Sequence, residues 1–226
     1  MINEPITAEE INKEIDNHIK EISEEFRHGF DFLKKYPKSV TIFGSARLTE
    51  TSSHYVEAYN LAKKIVEETG YSITTGGGPG IMESANKGAH EAKGNSLGLN
   101  IVLPHEQKIN LNVTDSVHFK YFFIRKPMMT FSAEAFVFFP GGFGTFDELF
   151  SILTLVQTKK IPRVPIILMG KDFWIPLKNF IRENMVERHH TIEKEDLDLL
   201  YIADAANTVV KIIKKAPVSE WWSEID

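Results

Sequence analysis

The stretch AFVFFPGGFGTFDELF, residues 135–150, decides how the chain folds. An apolar run reaches Pro140, passes Gly141, Gly142 and Gly144, and gives way to a helical pattern with Asp147 and Glu148 near its start. An apolar run without alternation is how a strand reads when its sheet is covered on both faces. Strand, glycines and then helix make half of a parallel crossover unit. The glycines fall beyond the carboxyl end of the strand, where open α/β sheets bind ligands.

The pattern recurs on either side. SVTIFGSAR (39–47) precedes a helical pattern from about His54 to Thr69, which Gly70 stops. YSITTGGGPG (71–80) runs into the helical IMESANKGAHEAK, and LGLNIVLP (97–104) and SVHFKYFF (116–123) read as a third and a fourth strand. The helix-compatible RKPMMTFSA leads back to the opening stretch, whose helix continues through Val156. VPIILMG (164–170) is a further strand, followed by helix from about Trp174 to Glu187 and a last helical segment from roughly Ala203 to Lys215. Near the start, Thr7 to Glu10 has capping-box spacing, and Ile11, Ile15, Ile19, Ile22 and Phe26 recur at helical intervals. That helix is expected to reach about Lys35, with its rows of Glu and Lys as a solvated face.

Alternating strands and helices predict an α/β fold: a Rossmann-like, doubly wound parallel sheet with helices on both faces. One domain over residues 1–226 is expected, with an N-terminal helical extension (1–37), a core (38–188) and a C-terminal helical extension (189–226). A chain of 226 residues, 42% hydrophobic and 25% charged, can bury a sizeable core without staples. Against 31 acidic residues stand 26 Lys and Arg, a net charge of −5, which argues against a general nucleic-acid binder. Cysteine is absent, so there is no disulfide or thiolate chemistry. The acidic start lacks an apolar signal core, and no stretch approaches the roughly 20 apolar residues of a membrane span. The expectation is a cytoplasmic protein with neither nucleic acid nor membrane as partner.

Three glycine-bearing loops follow strands: Gly44-Ser45, Gly76 to Gly80 including Gly77 and Gly78, and Gly141 to Gly144. Right-handed crossovers put all of them on one sheet edge. Glycines let backbone N–H groups approach a ligand, and a helix N-terminus adds a positive dipole, so the edge suits an anion such as phosphate. Gly76-Gly77-Gly78-Pro79-Gly80 lacks the G-x-G-x-x-G spacing, and no G-x-x-x-x-G-K-[ST] occurs. A nucleoside monophosphate therefore fits better than a dinucleotide or a triphosphate. Glu148 has two readings. With Thr145 as N-cap it closes a capping box and is structural; otherwise it is a carboxylate one turn from the phosphate, beside the ribose. His189-His190 with Glu187 lacks a metal-ligand spacing, so neither metal nor cofactor is expected. Met128, Met129 and the phenylalanines near them read as core or interface, and Trp221-Trp222 as the cover of an apolar groove.

The nonapeptide Pro140 to Glu148, P-G-G-x-G-T-x-x-E, resembles the signature of the LOG (Lonely Guy) family of cytokinin riboside 5′-monophosphate phosphoribohydrolases. Arg125-Lys126 match the pair that precedes it in the family. FGSAR (43–47), TGGGPGIME (75–83) and Leu103-Pro104-His105-Glu106 extend the resemblance over roughly Val40 to Arg188. The resemblance implies hydrolysis of the N-glycosidic bond of a nucleoside 5′-monophosphate, of AMP or N6-isopentenyl-AMP type, to free base and ribose 5-phosphate. It places Arg125 and Glu148 as the catalytic pair. Gly141, Gly142, Gly144 and Thr145 would hold the phosphate with Lys126 near it. Glu106 matches a family glutamate that contacts the nucleotide, and Thr154, matching a threonine one helical stretch beyond the signature, is expected in the substrate site with it. Gly44, Ser45, Gly77 and Gly78, on the other glycine loops, complete the expected substrate site. Ile124 and Pro127 stand where the family often has Glu and Ala, so plain and isoprenylated adenine both remain open as the base. The resemblance also implies a homodimer or higher homo-oligomer, with an interface expected beside Arg125 on Met128, Met129 and Phe131. Proteins of this kind have been labelled lysine decarboxylases, yet no pattern here marks a cofactor lysine. The competing reading is a non-catalytic nucleotide-binding carrier or sensor on the same fold.

Overall fold

The structure, a computed structural model, describes residues 7–102 and 109–221. Strands β1 (Ser39–Phe43), β2 (Ser72–Thr75), β3 (Ser96–Ile101), β4 (Asp115–Phe119), β5 (Ala133–Phe138), β6 (Ile166–Met169) and β7 (Leu200–Ala203) form one sheet. Its order is β4-β3-β2-β1-β5-β6-β7, and every pairing is parallel. Between them lie α1 (Ala8–Leu33), α2 (Ser53–Thr69), α3 (Ile81–Glu91), α4 (Phe122–Thr130), α5 (Phe143–Gln157), α6 (Lys171–Phe180) and α7 (Ala206–Lys215).

The central strands bury apolar side chains on both faces for a reason visible along β5. Phe136 and Phe138 point into a layer with Leu97, Leu99, Leu149 and Trp174, on the side of α1, α4, α5 and α6. Ala135 and Val137 point the other way, onto Leu61, Ile81 and Val209 of α2, α3 and α7. Successive side chains face opposite sides of a strand, so a sheet with two covered faces needs both sets apolar. Full burial of one such large side chain contributes about 1.5–3 kcal/mol.

Strand order reverses between β1 and β5. The chain builds outward from β1 through β4, then returns so that β5 pairs the free side of β1, with Val40 beside Ala135 and Phe43 beside Phe138. The loops after β1 and β5 leave in opposite directions and open a crevice above the sheet edge, the expected ligand position in a doubly wound fold.

Several boundaries differ from the sequence reading. Glu25 of α1 accepts the N–H groups of Lys120 (3.0 Å) and Tyr121 (3.1 Å), which takes the chain out of the sheet after Phe119. The Tyr121-Phe122-Phe123 run therefore leads into α4 instead of extending β4, and Pro127 lies in the second turn of that helix. The segment after α6 continues as π-helix over Ile181–Arg188. The strand β7 was not foreseen. It is four residues at the sheet edge, buried only at Leu200 and Ala203, and its short apolar run, Leu199 to Ala203, directly adjoins the last helical segment. Residues 189–226 thus contribute a strand as well as a helix.

The capping box at Thr7 is present, with Thr7 N–H donating to Glu10 Oε2 (2.8 Å) and Glu10 N–H to Thr7 Oγ1 (3.2 Å). Ile11, Ile15 and Ile19 stay exposed, while Ile22, Phe26, Phe30 and Leu33 pack on the sheet. Met128 and Met129 are buried in the same layer, which overturns the expected interface on them. At the far end of the sheet, Trp221 is buried and donates to the Ala133 carbonyl (2.9 Å), so it covers an apolar groove of its own chain. Trp222 lies outside the described residues.

Candidate active site

The site forms where the loop after β5 enters α5. Gly142 is the N-cap, in extended conformation (φ −93°, ψ −158°), and its carbonyl accepts from the N–H groups of Thr145 (3.0 Å) and Phe146 (3.1 Å). The helix therefore starts at Phe143, and the capping box with Thr145 as N-cap is not formed. Glu148 stands in the second turn, free of any capping duty. It is 7% exposed, and its Oε2 is buried without a hydrogen-bond partner.

Gly142 and Gly144 have no structural need to be glycine. Neither has a positive φ, and a Cβ built on either meets nothing within 4 Å. Side chains there would fit the protein alone, so the open space lies in front of the first turn of α5, where N–H groups and dipole favour an anion. Gly141 differs, because a Cβ on it would collide with the Thr145 side chain.

Arg125, in the first turn of α4, crosses to meet Glu148. Its Nε donates to the Leu99 carbonyl (2.8 Å), and its Nη1 lies 3.8 Å from Glu148 Oε1. Its Nη2 lies where a side chain on Gly76 would be, 2.5 Å from a Cβ built there, so the absence of a side chain at Gly76 makes room for the guanidinium. Both side chains are largely buried, 13% and 9% exposed. Burial pushes the Glu148 carboxyl above its ordinary range, with Arg125 and then Lys126 pulling part of the way back. Burial likewise lowers the Arg125 pKa against the pull of Glu148. A buried carboxylate with a spare oxygen, held next to a guanidinium without a hydrogen bond, has unused capacity for a ligand.

A cleft of about 610 Å³ brings these groups together. Its walls include Gly44, Ser45, Arg47, Gly76, Arg125, Gly142, Gly144, Thr145 and Glu148, with Met82, Phe122 and Phe143 as apolar lining. Other expected residues lie elsewhere. Gly77 and Gly78 sit behind the wall, where Asn110 Nδ2 donates to their carbonyls (3.1 and 3.0 Å). Gly77 N–H in turn donates to Thr75 Oγ1 (2.9 Å), which donates to Asn86 Oδ1 (2.6 Å). This buried network, unread from the sequence, fixes the loop against which Arg125 rests. Lys126 pairs with Asp147 (2.7 Å) and donates to Ser151 Oγ (3.0 Å), facing a neighbouring groove. Thr154 is exposed along α5 and donates to the Phe150 carbonyl (2.8 Å), lining that groove and not the cleft. Glu106, with Leu103, Pro104 and His105, lies outside the described residues. Arg47 lines the cleft, although the sequence reading assigned it no role. Its signal was its place two residues beyond Gly44-Ser45. Among the described residues no group of three or more His, Cys, Asp or Glu could hold a metal ion, and no helix is long and apolar enough to cross a membrane.

Comparison with known proteins sets this geometry in a lineage. The sequence profile of the family described as "Possible lysine decarboxylase" matches residues 82–213, more than half of the chain. A probable cytokinin riboside 5′-monophosphate phosphoribohydrolase of Oryza sativa subsp. japonica is 30% identical over 142 residues, 60% of this chain and 55% of that protein. The match thus spans about 55% of the length of that relative. The cytokinin riboside 5′-monophosphate phosphoribohydrolase of Rhodococcoides fascians is 26% identical over 161 residues, 67% of this chain and 77% of that one. Among solved structures, the molybdenum cofactor binding protein of Rippkaea orientalis superposes with a TM-score of 0.57 at 22% identity, covering 78% of this chain and 93% of that one. The molybdenum cofactor carrier protein of Chlamydomonas reinhardtii gives 0.56 at 23% identity, covering 79% and 97%. At such identities these two show a shared fold.

Proposed function

The chain belongs to the LOG family, whose profile bears the description "Possible lysine decarboxylase", and on that premise we propose that it hydrolyses the N-glycosidic bond of a nucleoside 5′-monophosphate. AMP or N6-isopentenyl-AMP is the substrate type, and free base and ribose 5-phosphate are the products. The observation that carries this reading is the buried Arg125–Glu148 pair at the wall of a glycine-lined cleft.

The phosphate lies at the first turn of α5, over the open positions Gly142 and Gly144. The ribose then falls beside Glu148, one turn further on. As the C1′–N bond breaks, the electron pair leaves with the base and positive charge builds on the sugar, as in other glycosidic hydrolysis. The ionised Glu148 stabilises that charge, and its free oxygen takes a proton from the water that adds to C1′. A raised pKa suits that task near neutral pH. The proton reaches the departing base, which balances the reaction. Arg125 holds Glu148 in place by charge and offers its planar fork to the substrate.

The test is direct: incubate the protein with AMP and with N6-isopentenyl-AMP and follow free base by chromatography. Release of base with an equal amount of ribose 5-phosphate is expected. Tight nucleotide binding with no turnover would favour the carrier reading.

The expected homodimer moves to another surface. Phe143 is 97% exposed, Phe122 and Phe123 are each 55% exposed, and an apolar groove of about 830 Å³ runs beside α5 past Phe146 and Phe150. Large apolar groups on adjoining helices suit a second copy better than solvent. A dimeric mass by light scattering is expected, and Phe150→Glu should shift it to the monomer with the melting temperature little changed. A monomeric wild type would remove the proposal.

A further inference from the structure

We propose that Arg47 is the phosphate-recognising cation of the cleft, the residue by which the site tells a nucleoside monophosphate from a nucleoside. This rests on the reading of the cleft as a nucleotide site and assigns one part of it.

The loop that carries Arg47 is fixed at its base. Ser45 N–H donates to the Pro140 carbonyl of the β5 loop (3.0 Å), and the Ser45 carbonyl accepts from Ile81 N–H at the start of α3 (3.0 Å). Arg47 N–H donates to Ser45 Oγ (3.1 Å), which closes a tight local turn. The arginine stem therefore leaves from a point tied to both the β5 loop and α3, on the wall of the same cleft as Gly142 and Gly144.

Charge accounting singles out this residue. Arg125 is matched by Glu148, and Lys126 by Asp147. Glu50, the acid on the same loop as Arg47, lies 3.8 Å from Lys87. Among the described residues Arg47 lies within ion-pair distance of no carboxylate, although the chain as a whole is acidic. A second, independent mark of a ligand is Glu148, buried with one oxygen unpartnered at the same wall. An uncommitted guanidinium on the wall of a cleft that also holds a helix N-terminus with open glycine positions supplies the parts of an anion receptor. In a nucleoside monophosphate the phosphate is the part that such a receptor takes. Its bidentate geometry suits a guanidinium better than an ammonium.

The experiment is calorimetric titration of the wild type and of Arg47→Ala with AMP, adenosine and ribose 5-phosphate. Arg47→Ala is expected to bind AMP and ribose 5-phosphate roughly tenfold to a hundredfold more weakly, the range for a lost hydrogen bond to a charged group. Its affinity for adenosine should stay within twofold. Arg47→Lys should fall between the two, and added salt should weaken phosphate binding less in Arg47→Ala than in the wild type. Should Arg47→Ala melt at a lower temperature, Arg47→Gln, which keeps most of the stem, gives the same comparison. The proposal is overturned if ribose 5-phosphate binds Arg47→Ala within twofold of wild type, or if adenosine binding falls as much as AMP binding. Binding without base release, still lost in Arg47→Ala, would sink the hydrolase reading and leave Arg47 in its role. Base release with an unchanged KM for AMP in Arg47→Ala would do the opposite.

Discussion

Glu148→Gln is expected to lose base release by roughly 10²–10⁴-fold, the usual contribution of a positioned acid–base group, while the protein holds its fold. Two opposing terms set the stability. Losing a partner for the buried Arg125 is unfavourable in general. Here, however, the pair meets at 3.8 Å without a hydrogen bond, and Arg125 keeps its bond to the Leu99 carbonyl. Burial outweighs both nearby cations in setting the Glu148 pKa, so ionising this carboxyl in the fold is net unfavourable. The sign follows from linkage. With a folded-state pKa above the unfolded one, the favourable contribution is complete below the ordinary carboxylate range. It fades as pH rises through the raised value. Wild type and Glu148→Gln should therefore be closest in stability at acid pH, and at neutral pH the variant should be at least as stable. Denaturant melts across that range measure it. Arg125→Ala should lose turnover comparably, and Arg125→Lys should not rescue it, because an ammonium lacks the planar fork. Near wild-type turnover by Glu148→Gln would show that the carboxylate takes no part in the chemistry.

The fold was legible because the physics that builds a doubly wound sheet also writes it into the sequence. Strands covered on both faces must be apolar throughout, so AFVFF and PIILM could hardly be anything else. The pieces that were missed obey weaker rules. The edge strand β7 buries two residues out of four, and an apolar run as short as LYIA does not by itself separate a strand from the start of the helix that follows. Thr145 and Glu148 have capping-box spacing, but the backbone of Gly142 caps the helix one turn earlier. Spacing cannot reveal which of two residues the chain turns at. Met129 adjoins the site in sequence yet faces the core, because helix phase and not adjacency decides burial. Lys126 shows the same limit: next to Arg125 in sequence, it pairs with Asp147 and lines the neighbouring groove, while Arg125 lines the cleft. Motif matching marks a neighbourhood, and the cleft selects within it.

The most discriminating result should come from Gly144. In the first turn of α5, replacing glycine by alanine removes backbone freedom from the unfolded chain and adds no clash, since a Cβ there meets nothing within 4 Å. Gly144→Ala should thus raise stability by up to about 0.5–1 kcal/mol. A residue that the fold would rather have as alanine must be kept small for another reason. If that reason is the phosphate, the added methyl enters the space where its oxygens meet the first N–H groups of the helix. KM for AMP should then rise by tenfold or more, and binding of adenosine should change little. Gly142→Val, with two more carbons in the same space, should raise the KM for AMP a hundredfold or more. Gly141 provides the contrast, because a side chain there strikes Thr145, and Gly141→Ala should lower stability and activity together. Melting temperatures beside KM values for AMP and binding constants for adenosine separate these cases. If Gly144→Ala binds AMP as tightly as wild type, the phosphate does not sit on the N-terminus of α5, and the open space in front of it belongs to some other group.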